Sequence, residues 1–492
     1  MPEYRPRTRW QALDSDLHRI TNIERANAYV SRPLLAPGVA LAFIVLAGLM
    51  AAVALNRIDG GMIVIAAAAF GAYMAMNIGA NDVANNMGPA VGANALTMTG
   101  AIAIAAVAES AGALIAGGDV VSTISRDIID PASVQNTTVF VWAMMAALIS
   151  SALWVNLATW IRAPVSTTHT VVGGVMGAGI AAAGLTAVNW TTMSLIASSW
   201  VISPVLGGAV AAAFLALIKS RIQNQNDKIA AAQRWVPLLV ALMAGIFATY
   251  LAVKGFGHIV RIDPEAALLI GLAAGALVWF ITVPWVRRKS EGMENRTRSV
   301  KALFTLPLVI AATFLSFAHG ANDVANAIGP LAAIVYATEV GDFAAQVTIP
   351  SWVMIIGAFG ISFGLFLFGP RLIRMVGRQI TKLNPIRAFC VALSTASTVI
   401  VASWFGLPVS STHIAVGAVF GVGFFREWHV DRHRKRAQLQ RPQHVRLARE
   451  EVRRRKLVRR SHFMTIIAAW VVTVPATAIM SGLIFRILTT FN

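Results

Sequence analysis

The chain has 492 residues, of which 57% are hydrophobic and 13% charged, and its mean hydropathy is +0.67. These values exclude an ordinary soluble protein, because many apolar stretches reach the length of about 20 residues that crosses the hydrocarbon core of a bilayer. The net charge of +19 would suggest a nucleic-acid ligand in a soluble chain, but here the basic residues gather in a few loops between apolar stretches. That distribution is typical of cytoplasmic loops, so we predict a multi-pass integral membrane protein without a nucleic-acid partner.

Hydropathy divides the chain into thirteen apolar segments, some of which are expected to be half-helices or re-entrant hairpins. The predicted segments are 34–55, 61–80, 91–116, 137–160, 163–184, 191–218, 236–253, 266–284, 302–320, 351–369, 388–405, 408–424 and 463–485. The expected fold class is an all-α polytopic membrane protein with about 12–13 membrane segments.

The distribution of charge orients these segments. If residues 1–33 form a cytoplasmic tail and the chain crosses once per segment, the predicted cytoplasmic loops include 219–235, 287–301, 371–387 and 426–460. The tail and these four loops contain 35 of the 41 Lys and Arg residues. This asymmetry supports the segment count, because Lys and Arg accumulate on the cytoplasmic side. The predicted divisions are a tail at 1–33, an extra N-terminal membrane helix at 34–60, a first repeat at 61–218, a linker with two membrane helices at 219–301, and a second repeat at 302–485 that includes a basic cytoplasmic loop at 426–460.

Two short motifs each occur twice, in the same order and at nearly the same spacing. The sequence G-A-N-D-V-A-N fills 79–85 and 320–326, and the sequence P-V-S-(S/T)-T-H fills 164–169 and 408–413. The chain is therefore a duplicated unit. Because an odd number of segments separates the two copies, we expect the halves to be inverted relative to each other. Inverted repeats recur in secondary transporters, where the substrate binds near mid-membrane.

The second motif predicts an anion site at the start of a helix. Proline suits the first helical turn, and the hydroxyls after it lie beside free backbone N–H groups and the positive end of the helix. Two inverted copies would present two such helix ends to one central anion. The alternative is that these hydroxyls only cap or back-bond a membrane helix. The candidate phosphate or anion ligands are Ser166, Thr167, Thr168, Ser410, Ser411 and Thr412.

The first motif places a carboxylate inside each of two apolar segments, where an ionisable residue is costly and usually marks an ion or substrate path. Glycine and proline are expected to break both helices there, and a broken helix exposes groups that hold Na⁺ or carry a proton. The alternative is a hydrogen-bonded structural pin between the repeats. The candidate coupling residues are Asn81, Asp82, Asn85, Asn322, Asp323 and Asn326, with Asp82 and Asp323 as Na⁺ ligands if sodium is the coupling ion.

Three further side chains and one loop are weaker candidates. Glu109 is another carboxylate in a predicted span, without an aligned counterpart in the second half, and is either functional or part of a structural pair. His169 and His413 end the two hydroxyl motifs, and each either belongs to the site or bonds a nearby carbonyl. The basic loop 426–460 either binds anionic lipid or a partner or, as we expect, is a solvated helix that fixes the topology.

The sequence contains no Walker loop, no metal-ligand cluster and no H-E-x-x-H motif, so coupling to ATP within this chain is not expected. The single Cys390 excludes an internal disulfide and argues against a thiolate metal site. An intramembrane enzyme that uses Ser, His and Asp is a further interpretation. Two near-equivalent sites argue against it, because a nucleophile needs one asymmetric site with a distinct base. We therefore expect neither enzymatic activity nor a cofactor other than a coupling ion.

The paired motifs resemble those of the inorganic phosphate transporter (PiT) family over roughly 61–220 and 302–485, and Glu109 with the stretch 112–130 is similar to that family's first half. The resemblance implies an inverted-repeat secondary transporter that imports phosphate by symport with H⁺ or Na⁺. It also implies a homodimer, which we expect in the bacterial inner (plasma) membrane. By the same resemblance, the anion-binding hydroxyls fall on Ser166, Thr167, Ser410 and Ser411, and the cation-linked residues on Asn81, Asp82, Asn322 and Asp323.

The chain departs from the family pattern at one position. Many members have a glutamate where this chain has Ala392, 21 residues before His413. If that glutamate helps to hold a cation, its absence favours protons over sodium. Some relatives carry sulfate, so the alternative is a sulfate carrier or a neutral metal-phosphate carrier of the same fold. A site that discriminates phosphate from sulfate must sense the phosphate proton through an acceptor such as Asp82 or Asp323.

Overall fold

The computed structural model describes residues 35–55, 61–130, 133–134, 136–161, 165–255, 262–341, 349–379, 383–439 and 460–491. The predicted tail at 1–33, Pro164 and the greater part of the basic loop 426–460 lie outside the described residues. The described chain is almost entirely helical, and its one extended contact is an isolated bridge between Ile129 and Val188.

Each of the thirteen predicted segments falls on one helix of the described chain. These helices are α1 (Leu35–Leu55), α2 (Gly61–Gly92), α3 (Met98–Ala116), α4 (Thr137–Trp160), α5 (Thr167–Ala183), α6 (Trp190–Ile218), α7 (Lys228–Tyr250), α8 (Pro264–Ser290), α9 (Thr305–Val340), α10 (Ser351–Gln379), α11 (Pro385–Trp404), α12 (Ser411–Leu439) and α13 (Arg460–Thr490). Eleven of them are long and apolar enough to cross a membrane, and the other two, α5 and α12, begin at the hydroxyl motifs. The all-α, multi-pass fold class is confirmed.

The predicted helix breaks at the G-A-N-D-V-A-N motifs are wrong. Helix α2 continues through Gly79 and Pro89, and α9 continues through Gly320 and Pro330. A break would leave backbone groups without hydrogen-bond partners, which is costly where water is absent. A membrane helix therefore tends to stay intact when its glycines are used for close packing against another helix. That purpose is visible in the packing of the two helices.

The two motif glycines are contact points between helices. A Cβ atom at Gly79 would collide with the backbone carbonyl of Ile361 in α10, and a Cβ atom at Gly320 would collide with that of Glu109 in α3. Small residues at such points let two membrane helices approach closely. Each glycine that was expected to break its helix therefore joins it to a neighbour.

The chain reverses instead just before the two helices that begin at the hydroxyl motifs, between α4 and α5 and again between α11 and α12. Both reversals lie beside the interior of a long helix. Asn81 of α2 donates a hydrogen bond to Thr159 Oγ1 at 3.0 Å, and the side-chain amide of Asn322 in α9 lies 2.9 Å from Ser403 Oγ. The two helical hairpins thus end at the level of the two carboxylate motifs.

The two halves exchange packing partners. Helix α10 of the second half lies along α2 of the first, and α3 of the first half lies along α9 of the second. In the same way, α13 packs on α5 and α6 packs on α12. Ser110 of α3 and Ser362 of α10 meet within this exchange, with their Oγ atoms 2.6 Å apart. Such reciprocity is what two copies of one unit related by a two-fold axis produce.

Candidate functional site

The candidate residues meet where the N-termini of α5 and α12 face the interior of α2 and α9. Thr167, the first residue of α5, donates a hydrogen bond to Asp82 Oδ2 at 3.1 Å. Ser411, the first residue of α12, donates a hydrogen bond to Asp323 Oδ2 at 2.9 Å. Both carboxylates are buried, so the positive end of each helix acts on a carboxylate inside the protein.

Each hydroxyl motif also binds the opposite half. Thr412 of the second half donates to Asp82 Oδ1 at 2.9 Å and accepts a hydrogen bond from Asn85 Nδ2 at 2.9 Å. In the corresponding place, Thr168 of the first half accepts a hydrogen bond from Asn326 Nδ2 at 3.1 Å. The structure therefore brings the predicted residues of both motif pairs together in one buried cluster.

The serines of the hydroxyl motifs cap the two helices. Ser166 Oγ accepts a hydrogen bond from the backbone N–H of His169 at 3.1 Å, and Ser410 Oγ accepts one from that of His413 at 3.2 Å. A side-chain oxygen at the N-cap satisfies a backbone N–H that lacks a helical partner. The capping alternative thus describes both serines in this structure, while their O–H groups remain donors that an anion can use.

Replacing either serine by alanine is expected to affect both stability and binding. Loss of an N-cap hydroxyl costs about 0.5–2 kcal/mol, so Ser166→Ala and Ser410→Ala should lower the melting temperature in detergent. Each should also weaken phosphate binding by about tenfold to a hundredfold, because a hydrogen bond to a charged ligand contributes about 1.5–3 kcal/mol. Ser198→Ala, at an exposed position of α6, is the matched control. Unchanged phosphate affinity in both cap variants would remove the serines from the anion site.

One buried histidine was not predicted from the sequence. His319 precedes the second carboxylate motif, and its Nε2 lies 2.9 Å from Asp323 Oδ2 and 3.9 Å from Asp82 Oδ2. These three side chains are buried, and their ligand atoms lie within 4.8 Å of one another. The first copy has Ile78 at this position, so a comparison that looks for residues common to both copies does not identify His319. The difference itself was the available signal, because an ionisable residue in an apolar segment usually has a function.

Glu109 extends this group on one side. Its Oε1 accepts a hydrogen bond from Asn86 Nδ2 at 2.8 Å and lies 3.4 Å from His319 Nδ1. Glu109 packs on the motif glycine of α9, as Ile361 packs on the motif glycine of α2, so Ile361 is its counterpart in the second half. Both halves therefore supply the same carboxylate and hydroxyl residues to the cluster, whereas the buried chain of Glu109, His319 and Asp323 has no counterpart in the described part of the protein.

The two motif histidines lie together. The ring centroids of His169 and His413 are 4.3 Å apart in an edge-to-face arrangement, and the ring of His169 lies 3.8 Å from that of Trp200. Both histidines line one end of an apolar groove between α6, α12 and α13. The structure thus places them against this groove.

The hydroxyl donors and helix N-termini of the cluster are occupied by the protein's own carboxylates. In this structure the carboxylates of Asp82 and Asp323 accept the hydrogen bonds of Thr167, Ser411 and Thr412. A buried carboxylate that loses its donors must be neutralised, because an uncompensated charge in a low-dielectric interior is very costly. Removing these donors from either carboxylate would therefore require a proton or a cation to neutralise it.

A family profile described as "Phosphate transporter family" matches residues 78–481. A Helicobacter pylori (strain J99) protein named "Putative phosphate permease" is 43% identical over 522 residues, which covers 96% of this chain and 98% of that protein. The Arabidopsis thaliana protein "Inorganic phosphate transporter 2-1, chloroplastic" is 38% identical over 384 residues, which covers 73% of this chain and 65% of that protein.

A solved structure gives the same result. The protein described as "The sodium-dependent phosphate transporter" superposes with a TM-score of 0.77 at 33% identity, covering 88% of this chain and 100% of that chain. These similarities confirm the family resemblance of the paired motifs, and with it a multi-pass integral membrane transport protein rather than an enzyme. Because the matched region of 78–481 contains both motif pairs, this chain belongs to the phosphate transporter family.

Proposed function

We propose that this protein imports inorganic phosphate by symport with protons. The observation that carries the proposal is the meeting of two hydroxyl-bearing helix N-termini with two buried carboxylates, one pair from each half. Helix N-termini and hydroxyls suit phosphate oxygens, and a carboxylate can accept the hydrogen that phosphate keeps at neutral pH. The names of the similar proteins support phosphate as the substrate.

Coupling follows from the exchange of anions at the centre. An entering phosphate takes the hydroxyls of Thr167, Ser411 and Thr412, which in this structure bind the two aspartates. Each aspartate then needs a proton or a cation, because it has lost its hydrogen-bond donors in a buried place. Phosphate and the coupling ion therefore enter together and leave together.

His319 supports protons as the coupling ion. It lies beside both Asp82 and Asp323, and imidazole is the side chain that ordinarily binds and releases a proton near neutral pH. Ala392 supports the same conclusion, since it stands where many family members have a glutamate. Sodium is the alternative, because the similar solved structure is described as sodium-dependent and carboxylate and hydroxyl oxygens suit a hard cation.

We also propose that residues 61–218 and 302–485 are inverted repeats with the site near mid-membrane. The exchange of partners between the halves and the clustering of Lys and Arg in the predicted cytoplasmic loops support this orientation. The linker 219–301 contains α7 and α8, which pack against each other, and α1 lies in the extra segment 34–60. The homodimer remains a prediction.

Uptake of radiolabelled phosphate into proteoliposomes tests the function. A pH gradient with the acidic side outside, imposed in the absence of sodium, should drive accumulation, and a sodium gradient at equal pH should not. Accumulation driven by sodium alone would replace the proton by sodium and leave phosphate symport intact. No accumulation under either gradient would contradict symport.

Sulfate and metal phosphate are separated in the same assay. Sulfate carries no hydrogen at neutral pH, so the buried acceptors Asp82 and Asp323 should repel it. A large excess of unlabelled sulfate is therefore expected to leave phosphate uptake unchanged. Competition by sulfate at concentrations similar to phosphate would favour a sulfate carrier, and uptake that requires added divalent metal would favour a neutral metal-phosphate carrier.

A further inference from the structure

A large apolar groove opens on the side of the molecule between α6, α12 and α13. Its volume is about 1180 Å³. Several of its lining side chains are strongly exposed, including Val201 (69%), Val471 (68%) and Trp428 (54%). A continuous apolar surface of this kind on a membrane protein needs an apolar occupant.

The groove spans the depth of one membrane leaflet. At one end of the groove lies His413, next to Thr412 of the central cluster. At the opposite end, farthest from the central cluster and called the outer end below, lie Phe425 and Trp428 of the same helix. At about 1.5 Å per residue, these two aromatic residues lie about 18 Å and 22 Å along α12 from His413. Half the hydrocarbon core measures about 15 Å and half the whole bilayer about 20–22 Å. With the central cluster near mid-membrane, as proposed above, the outer end reaches the level of lipid headgroups.

Cations stand over the outer end of the groove. Lys219 Nζ lies 5.7 Å from the centre of the Phe425 ring, and Arg432 Cζ lies 5.3 Å from that of the Trp428 ring. Both rings line the groove, so the two positive charges sit at its rim. The contacts are of the cation–π kind, which hold a cation over an aromatic face while leaving its charge unneutralised.

Two more cations complete this cluster. The charges of Arg426 and Arg387 both repel that of Lys219, and Arg426 also repels Arg387. Among the residues that the structure describes, neither Lys219 nor Arg426 forms an ion pair with a carboxylate. Half-buried like charges that are held close together favour an anion between them.

The feature is confined to one end of the molecule. Helix α12 has 29 residues and carries the outer wall of the groove, whereas its counterpart α5 has 17 residues and ends at Ala183. The first half therefore has no helical counterpart of the segment from Trp428 to Arg432. By the distribution of Lys and Arg, this end faces the cytoplasmic leaflet.

We propose that the groove binds an anionic phospholipid of the cytoplasmic leaflet, with its phosphodiester between Lys219 and Arg426 and an acyl chain directed toward His413. The match in depth and the complementarity of charge favour this occupant. A second copy of this chain would bring the same cations to the contact, which opposes it. Basic pockets between membrane helices on the cytoplasmic side are known to suit anionic headgroups. The proposal holds whichever ion is coupled to transport.

Lipid retention by the purified protein tests the headgroup end. The protein is extracted from vesicles of phosphatidylglycerol and phosphatidylcholine, and bound lipids are counted by native mass spectrometry. Wild type should keep phosphatidylglycerol, and Lys219→Gln with Arg426→Gln should weaken its binding by about thirtyfold, because each juxtamembrane cation contributes about fivefold. Arg287→Gln with Arg288→Gln, which removes two exposed charges from α8, is the matched control and should keep the lipid.

A second pair of variants tests the acyl end. Ala209 lines the groove and Ala213, one helical turn further along α6, is exposed but does not line it. Ala209→Trp should displace the lipid, and Ala213→Trp should not, with melting temperature and elution volume showing that both variants are folded. Equal lipid retention in all four variants would overturn the proposal. A shift of Ala209→Trp from dimer to monomer without loss of lipid would also overturn it, since it would assign the groove to a second copy.

Discussion

Asp82→Asn and Asp323→Asn are each expected to abolish gradient-driven phosphate uptake while leaving the protein inserted and folded. Asparagine has nearly the shape of aspartate and can still accept from Thr167 or Ser411, so packing should change little. It cannot take up a proton or neutralise a cation, and it forms no charge-assisted hydrogen bond. Loss of a group that carries the coupled proton removes a contribution of about a hundredfold or more, so uptake is expected to fall by at least that factor.

Initial rates of radiolabelled uptake and the melting temperature should be measured together on these variants. Asp127→Asn is the control, since its carboxylate lies outside the cluster and pairs with Arg126 at 3.4 Å. If either site variant transports phosphate like wild type, that aspartate is a structural pin between the halves. If both lose uptake only because they fail to insert, the pin interpretation would also be favoured.

The second large effect is expected at His319. His319→Ala leaves Asp82 and Asp323 facing each other without the imidazole, so both stability and uptake should fall. His319→Gln restores an N–H donor in place of Nε2 but cannot carry a proton. We therefore expect stability to recover in His319→Gln while proton-driven uptake stays at least about a hundredfold below wild type, the size of a general acid–base contribution at its lower end.

This comparison separates a positioning role from a proton-carrying role. Ile78→Val, at the counterpart position in the first half, is the control and should transport normally, since Ile→Val costs only about 0.5–1.5 kcal/mol of stability. Proton-driven uptake by His319→Gln at the wild-type rate would show that the histidine acts only as a hydrogen-bond donor. The pH dependence of uptake should then also match that of wild type.

Hydropathy was sufficient to predict the helices, because eleven of the thirteen are apolar runs of membrane length and the other two begin with apolar runs. Helix α8, for example, was predicted at 266–284 and runs over Pro264–Ser290. Hydropathy could not predict how the two halves pack against each other. A glycine beside other helix-breaking residues indicates a break in an isolated segment, and nothing local shows that Ile361 will lie against Gly79. The continuity of α2 and α9 was missed for this reason.

The repeated motifs predicted the site residues that both halves share but did not predict His319. Asp82 and Asp323 were found because both copies of the motif contain them, and the structure places them beside the predicted hydroxyls. His319 differs from its counterpart Ile78, so a comparison of copies discards it. Its role depends on which side chains the other helices bring near it, and that follows only from the packed arrangement of both halves.

The exchange of partners has a consequence for biogenesis. The face of α2 that contains Gly79 packs against Ile361 of α10. This face has no helical partner until α10 has been made, and Ile361 is translated about 280 residues after Gly79. At about 5–20 residues per second, the ribosome needs on the order of 15 to 55 s to supply the missing helix. During that interval the first half sits in the bilayer with Asp82 and its neighbours unprotected by α9 and α12. The nascent protein therefore depends on the insertion machinery, or on lipid, to cover that face until the second half arrives.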